Sequence, residues 1–190
     1  MTKIGIGMLG AGFIGQMHSL TFGSAGVSKH EPQLSGRLIV LADTNLGLAE
    51  EVQRRYGWER TSADWRAAVD EPDATIFINS GPNDAHAEPS IAAAKRGRHL
   101  FSEKPLARTA DEAFSIFEAA ETAGVKHMCA YIHRFIPALH LARRMIRDGE
   151  IGRIRHFRSN FLIDMQHPDG SLSSSSFCVR TTHTCASSSM

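Results

Sequence analysis

The residues Gly10-Ala11-Gly12-Phe13-Ile14-Gly15 follow an apolar run, Ile4 to Leu9, and open a stretch of helical character. A short apolar run closed by glycine reads as a strand buried in a parallel sheet. At a strand-to-helix corner of this kind each glycine relieves a different constraint. Gly10 permits the tight turn, Gly12 lets a pyrophosphate approach the backbone, and Gly15 lets the helix pack closely on the strand. The backbone N–H groups of Phe13 and Ile14 then stand at a helix N-terminus, where phosphate oxygens are favoured. Glycines cluster in many turns. It is the strand before and the helix after that make this a dinucleotide fingerprint.

Outward from that corner the chain alternates. The helix from Phe13 is expected to turn Met17, Leu20 and Phe22 inward and to fade near Gly23-Ser24-Ala25-Gly26. Val27 to Arg37 is polar, holds Pro32 and Gly36, and reads as a surface loop. Leu38 to Ala42 is a second strand, closed by Asp43, and Leu46 to Tyr56 a helix stopped by Gly57. Ser62 is placed to cap a short helix, Ala63 to Val69. Ala74 to Asn79 is a strand leading to the turn Ser80-Gly81-Pro82-Asn83, and His86 to Arg96 a helix ending at Gly97. His99 to Ser102 is a strand that runs into Glu103-Lys104-Pro105. Thr109 and Glu112 have capping-box spacing at the start of a helix that Gly124 ends. Val125 to Ala130 is again a strand, and Pro137 to Asp148 a helix with proline in its first turn. Strands alternating with helices over about 130 residues predict an α/β fold with a doubly wound parallel Rossmann sheet.

The pattern changes at Arg153. Phe157, Phe161, Ile163 and Met165 take odd positions, with Arg158, Asn160 and Asp164 between them. This period of two predicts a strand buried on one face, the beginning of an incomplete second α+β domain. Eleven of the last twenty residues are Ser or Thr, without periodicity, a composition expected to stay disordered. The expected organisation is a dinucleotide-binding domain over 1–133, the start of a substrate and oligomerisation domain over 134–168, and a Ser/Thr-rich tail over 169–190. The tail reads as an aberrant terminus, such as a shifted reading frame produces, rather than as part of an evolved domain.

Bulk properties exclude several classes. With a formal net charge of +1 over 190 residues, no field favours nucleic acid or an anionic membrane. Arg143, Arg144 and Arg147 fit one solvated helix face. Cys129, Cys178 and Cys185 are odd in number and lack disulfide or zinc spacing. No run of 18 apolar residues suits a membrane span, and the first residues do not form a signal peptide, so a cytoplasmic protein is expected.

Two side chains stand out beyond the glycines. Asp43, at the end of the second strand, can accept hydrogen bonds from both ribose hydroxyls of an adenosine and would repel a 2′-phosphate. It lies 28 residues after Gly15, beyond the usual spacing of about 20, and the intervening loop accounts for the excess. Thr44, Asn45 and Leu46 offer no cation for a 2′-phosphate, which favours NAD over NADP. The plainer reading of Asp43 is a strand-end turn residue. Lys104 follows a strand end, where an ammonium can hydrogen-bond a substrate hydroxyl or help move its proton while hydride leaves the carbon.

Taken together, the glycine corner, Asp43, Pro82-Asn83-x-x-His86, Glu103-Lys104-Pro105 and Tyr131-x-x-Arg134-Phe135 resemble the Gfo/Idh/MocA family, oxidoreductases of sugars, inositols and related polyols. The resemblance runs from Lys3 to about Gly170. It implies that Ser80, Pro82, Asn83 and His86 line the cofactor, that Glu103 lies near the nicotinamide ribose, and that Lys104 is the catalytic residue, reaching nicotinamide and substrate. Arg134 would stand at the junction of two domains, although Ile132 and His133 replace the Asn and Tyr often found before it. For His86 a role as a packed helix residue is the alternative. The family also implies a sugar or polyol substrate, a homo-oligomer, and a second domain supplying an Asp and a proton-accepting His. His183 lacks the surroundings of that His and is not given its role. The reading is therefore an NAD-dependent dehydrogenase or, alternatively, an NAD-binding fragment without its chemistry; in either case weak or absent turnover is expected of the chain.

Overall fold

A computed structural model describes residues 2–24, 34–163 and 177–184. The chain divides into two units, Met1–Tyr131 and Ile132–Met190.

In the first unit, β1 (Thr2–Leu9) is central because its residues from Gly5 to Leu9 are buried, with Ile6, Met8 and Leu9 in the core. It pairs in parallel with β2 (Leu34–Ala42) on one side and β4 (Ile76–Asn79) on the other. Beyond them lie β3 (Arg60–Ser62), β5 (His99–Ser102) and β6 (His127–Cys129), giving the order β3-β2-β1-β4-β5-β6 with every pairing parallel. Crossover helices cover both faces. Ile6, Met8, Leu38, Leu41 and Ile78 pack with Trp58 and with Ala49 and Val52 of α2 (Leu46–Tyr56). Leu9, Ile39, Val40 and Phe77 pack with Ala68 and Val69 of α3 (Arg66–Val69), Ala93 and Ala94 of α4 (Ala87–Lys95), and Ile116 and Ala120 of α5 (Ala110–Ala123). Burial on both faces is why these strands read as continuous apolar runs.

Local signals placed the helices well. Asn45 accepts a hydrogen bond from Leu48 N at 3.1 Å and starts α2, and Gly57, at φ +79, ends it. Thr109 accepts from Glu112 N at 3.1 Å and starts α5. The Glu112 carboxylate turns to Arg108, taking its backbone N–H at 3.0 Å and its guanidinium at 2.7 Å, and its pKa is lowered by that guanidinium bond first.

Three expectations need correction. First, α1 (Phe13–Gly23) does not turn Met17 and Leu20 inward: both are exposed, and its buried residues are Gly15 and Ser19. Small residues stand where the helix is nearest the sheet, while Phe22, as expected, packs against the core. Ser19 Oγ donates to Gly15 O at 2.8 Å and accepts from Trp58 Nε1 at 3.0 Å. Second, β2 begins at Leu34, inside the segment read as loop. Its polar Arg37 hides the strand because it bridges Glu59 and Asp73 at the surface, at 2.6 and 2.9 Å. The rest of that loop, 27–33, is outside the described residues. Third, β3 escaped the sequence reading: it has three residues, and Ser62 ends it rather than capping a helix. A ladder to Val40–Ala42 defines it, and no periodicity of its own.

The second unit holds a 3-10 turn (Ile132–Phe135), α6 (Pro137–Arg147) with proline in its first turn, and an antiparallel pair, β7 (His156–Ile163) with β8 (Phe177–Thr184). The strand read at 157–165 is found over His156–Ile163, with Phe157 exposed rather than buried, and it pairs with β8. Part of the tail read as disordered is that partner. Phe177, Val179, Thr181, Thr182 and Thr184 are strand formers whose signal the serine count masked. Residues 164–168 of the expected second domain and 169–176 and 185–190 of the expected tail lie outside the described residues. Among the described residues, no helix is long and apolar enough to cross a membrane.

Candidate functional site

The strand order reverses between β1 and β4, and in open parallel sheets of this kind ligands occupy the crevice outside the strands' carboxyl ends at that switch point. Hydrogen bonds bring those ends side by side. Gly10 N donates to Ala42 O, Ser80 N to Leu9 O, Glu103 N to Asn79 O and Ala130 N to Ser102 O, each at 2.8 Å. The glycine corner, Asp43, Ser80 and Glu103-Lys104 thus converge from residues as far apart as 10 and 104.

The corner is built for close approach. Gly10 has φ +100, and Gly15 sits against it, so that a Cβ on Gly15 would lie 2.0 Å from Gly10 O. Ser80 Oγ lies 2.8 Å from Leu9 O and 3.1 Å from Gly10 O and holds the turn from the neighbouring strand. A Cβ on Gly12, by contrast, would meet nothing within 4 Å. Gly12 is the N-cap of α1, no side chain caps this helix, and no acidic residue stands in its first turn. The first amides of α1, including those of the exposed Phe13 and Ile14, are left to meet an anion together with the positive end of the helix dipole.

Asp43 is fixed by two backbone amides, Ala11 N on Oδ2 at 2.7 Å and Asn45 N on Oδ1 at 2.8 Å. It therefore couples the glycine corner to the end of β2. Each oxygen keeps a lone pair for a further donor. Lys104 is exposed, follows β5 and precedes a cis peptide bond to Pro105. Pro82 and Asn83 are exposed in the turn after β4. These features fit the group the corner implies: an open cradle for a pyrophosphate, uncapped amides to hold it, a carboxylate for a ribose and an ammonium beyond.

His86 departs from the expectation that it lines the cofactor. Its ring is 1 % exposed and lies between two carbonyls, Nε2 3.0 Å from Gly81 O and Nδ1 2.8 Å from Pro105 O, and in the neutral imidazole one N–H donates to one of them. It is a packed residue, the alternative kept open above, and ties the turn after β4 to the turn after β5. Arg134 belongs to the second unit, where it lines a cleft of about 320 Å³ with His133, Leu139, His140 and Arg143.

The sequence reading missed His18. From α1 its Nε2 reaches Glu103 Oε1 at 2.9 Å, while Glu103 Oε2 accepts Lys104 N–H at 3.1 Å. No periodicity or motif announced a pair separated by 85 positions. Cys129 lies on the other side of the same turn, its Sγ 3.7 Å from Glu103 O. Burial first and the Glu103 charge second raise its pKa. Among the described residues no three His, Cys, Asp or Glu side chains gather as a metal site requires.

A six-stranded parallel sheet in this order, with a glycine corner at its switch point and a carboxylate at the end of β2, defines a dinucleotide-binding Rossmann domain. Residues 4–131 match the family model described as an oxidoreductase family with an NAD-binding Rossmann fold, and the chain belongs to this Gfo/Idh/MocA family. It is 39% identical over 165 residues to a levoglucosan dehydrogenase of Pseudarthrobacter phenanthrenivorans, covering 86% of this chain and 42% of the relative. To a scyllo-inositol 2-dehydrogenase (NAD(+)) of Bacillus subtilis it is 32% identical over 122 residues, 64% of this chain and 36% of that one. A solved levoglucosan dehydrogenase in complex with NADH and levoglucosan superposes with a TM-score of 0.77 at 36% identity, covering 84% of this chain and 43% of the other. The chain spans about two-fifths of the length of these relatives.

Proposed function

We propose that the chain is an NAD(H)-binding module of this family and that its 190 residues alone turn over little or no substrate. One observation carries the reading. The first amides of α1 face open space at an uncapped, acid-free helix start, and Asp43 is fixed beside them by Ala11 N. The α1 amides hold the pyrophosphate, and Gly12 leaves it room. Asp43 accepts the adenosine ribose hydroxyls and disfavours a 2′-phosphate. When bound, the nicotinamide supplies hydride acceptance and donation. Low turnover is supported by the exposure of Lys104, since a site open to water loses electrostatic preorganisation.

The second reading, a sugar or polyol dehydrogenase, is favoured by Lys104 and by the activities named for the relatives. There the Lys104 ammonium hydrogen-bonds the substrate hydroxyl and helps move its proton. NADH fluorescence titration, run beside an absorbance assay with levoglucosan, inositols and D-xylose, separates the two. Saturable binding without absorbance change supports the module, binding with turnover supports the dehydrogenase, and absence of binding overturns both.

Two variants refine the assignment. Lys104→Ala keeps NADH affinity within about threefold and removes any residual turnover, because its ammonium serves the reacting end. A larger loss of affinity would mean that Lys104 is misassigned. Asp43→Ala deprives Ala11 N–H of its acceptor and lowers stability by about 1–3 kcal/mol. It also erases the preference for NADH over NADPH. Thermal melts and titrations with both dinucleotides check this, and an unchanged preference would remove Asp43 from the ribose site.

A further inference from the structure

We infer that His18 is a positioning residue for the nicotinamide half of the dinucleotide, holding Glu103 from the same helix whose N-terminus receives the pyrophosphate. The inference rests on the proposed NAD(H) site and adds to it a residue at its far end. His18 lies one turn into α1, three residues after Gly15. Its Nε2–H donates to Glu103 Oε1 at 2.9 Å, and the pair is mostly buried, with side-chain exposures of 15% and 14%. The ring is held edge-on by Phe101 of β5, with centroids 5.2 Å apart, and leans on Phe22 at 6.2 Å. A ring so wedged has little freedom to swing away from the carboxylate.

The other oxygen of Glu103 accepts Lys104 N–H at 3.1 Å. Glu103 therefore sits between His18 and the backbone of Lys104, and its carboxylate orientation is set from α1. Without the donor, the mostly buried Oε1 loses its partner and the carboxylate is held by the Lys104 N–H alone. One rigid helix thus links the two ends of the proposed site: its first turn binds phosphate and its second fixes the acid beside the catalytic lysine. His18 touches no reacting atom and acts only through Glu103.

The test compares NADH with ADP, which carries the adenosine and pyrophosphate but lacks the nicotinamide ribose. In His18→Ala, NADH affinity falls about tenfold while ADP affinity stays within about twofold. His18→Gln, which keeps an N–H near the same place, restores NADH affinity. In a Glu103→Ala background, His18→Ala has no additional effect. Equal losses for NADH and ADP, no loss for either, or multiplying effects in the double variant would each overturn the inference. If alanine leaves the helix unfolded, His18→Phe keeps the ring against Phe101 while removing the donor, and the same comparison decides. Failure of the underlying site shows differently, as absence of NADH binding to the unaltered chain.

Discussion

Gly12→Asp keeps the fold, holds or raises its melting temperature, and abolishes NADH binding. Gly12 has φ −64 and ψ −171, an extended conformation open to any residue, and a Cβ there meets nothing within 4 Å. An aspartate at this N-cap accepts a hydrogen bond from the first turn of α1, which no side chain now caps. The gain over glycine is a few tenths of a kcal/mol from the cap and about 0.3–1 kcal/mol from the helix dipole. The same carboxylate takes the amides and the space assigned to the pyrophosphate and repels it. Affinity then falls at least about 100-fold, equivalent to about 2.7 kcal/mol. Thermal melts and NADH titration on one preparation check both halves of the expectation. A variant that binds NADH as the parent does would place the phosphates elsewhere.

Gly15→Ala gives the opposite pattern, losing stability and binding together. The added methyl would stand 2.0 Å from Gly10 O and 2.9 Å from Gly10 C, backbone atoms that cannot rotate away. Gly10 is itself pinned by its bond to Ala42 O and by Ser80 Oγ. The whole of α1 must slide, at a cost of about 1–3 kcal/mol for overpacking and a fall in melting temperature of roughly 5–10 °C. The slide also moves the amides that face the phosphates, so affinity drops with stability. A melt unchanged from the parent would show that α1 does not press on the corner as described. The two variants lie three residues apart and separate the cradle from its support.

Much of the architecture was legible because it depends on neighbours in sequence. Gly57, Thr109 and Gly124 mark helix ends through hydrogen bonds or dihedral angles spanning four residues or fewer. The apolar runs at 4–9 and 38–42 are strands because both faces of the sheet are covered. The misreadings share a different cause. The inward face of α1 was read correctly at Phe22 alone: the buried positions above it are the small Gly15 and Ser19, and Met17 and Leu20 are exposed. β3 and β8 exist through their partners: Arg60–Ser62 through β2, and Phe177–Thr184 through β7.

The sequence by itself determined the glycine corner, the alternation that makes a doubly wound sheet, Asp43 at a strand end and Lys104 after another. Each is written in residues adjacent along the chain, where conformational limits and hydrophobic period act locally. Only the tertiary structure decided that His86 is a buried tie between two carbonyls and that His18 holds Glu103. Those roles belong to pairs 5 to 85 positions apart, and a side chain's partner across a sheet is fixed by packing distance rather than by spacing in the chain.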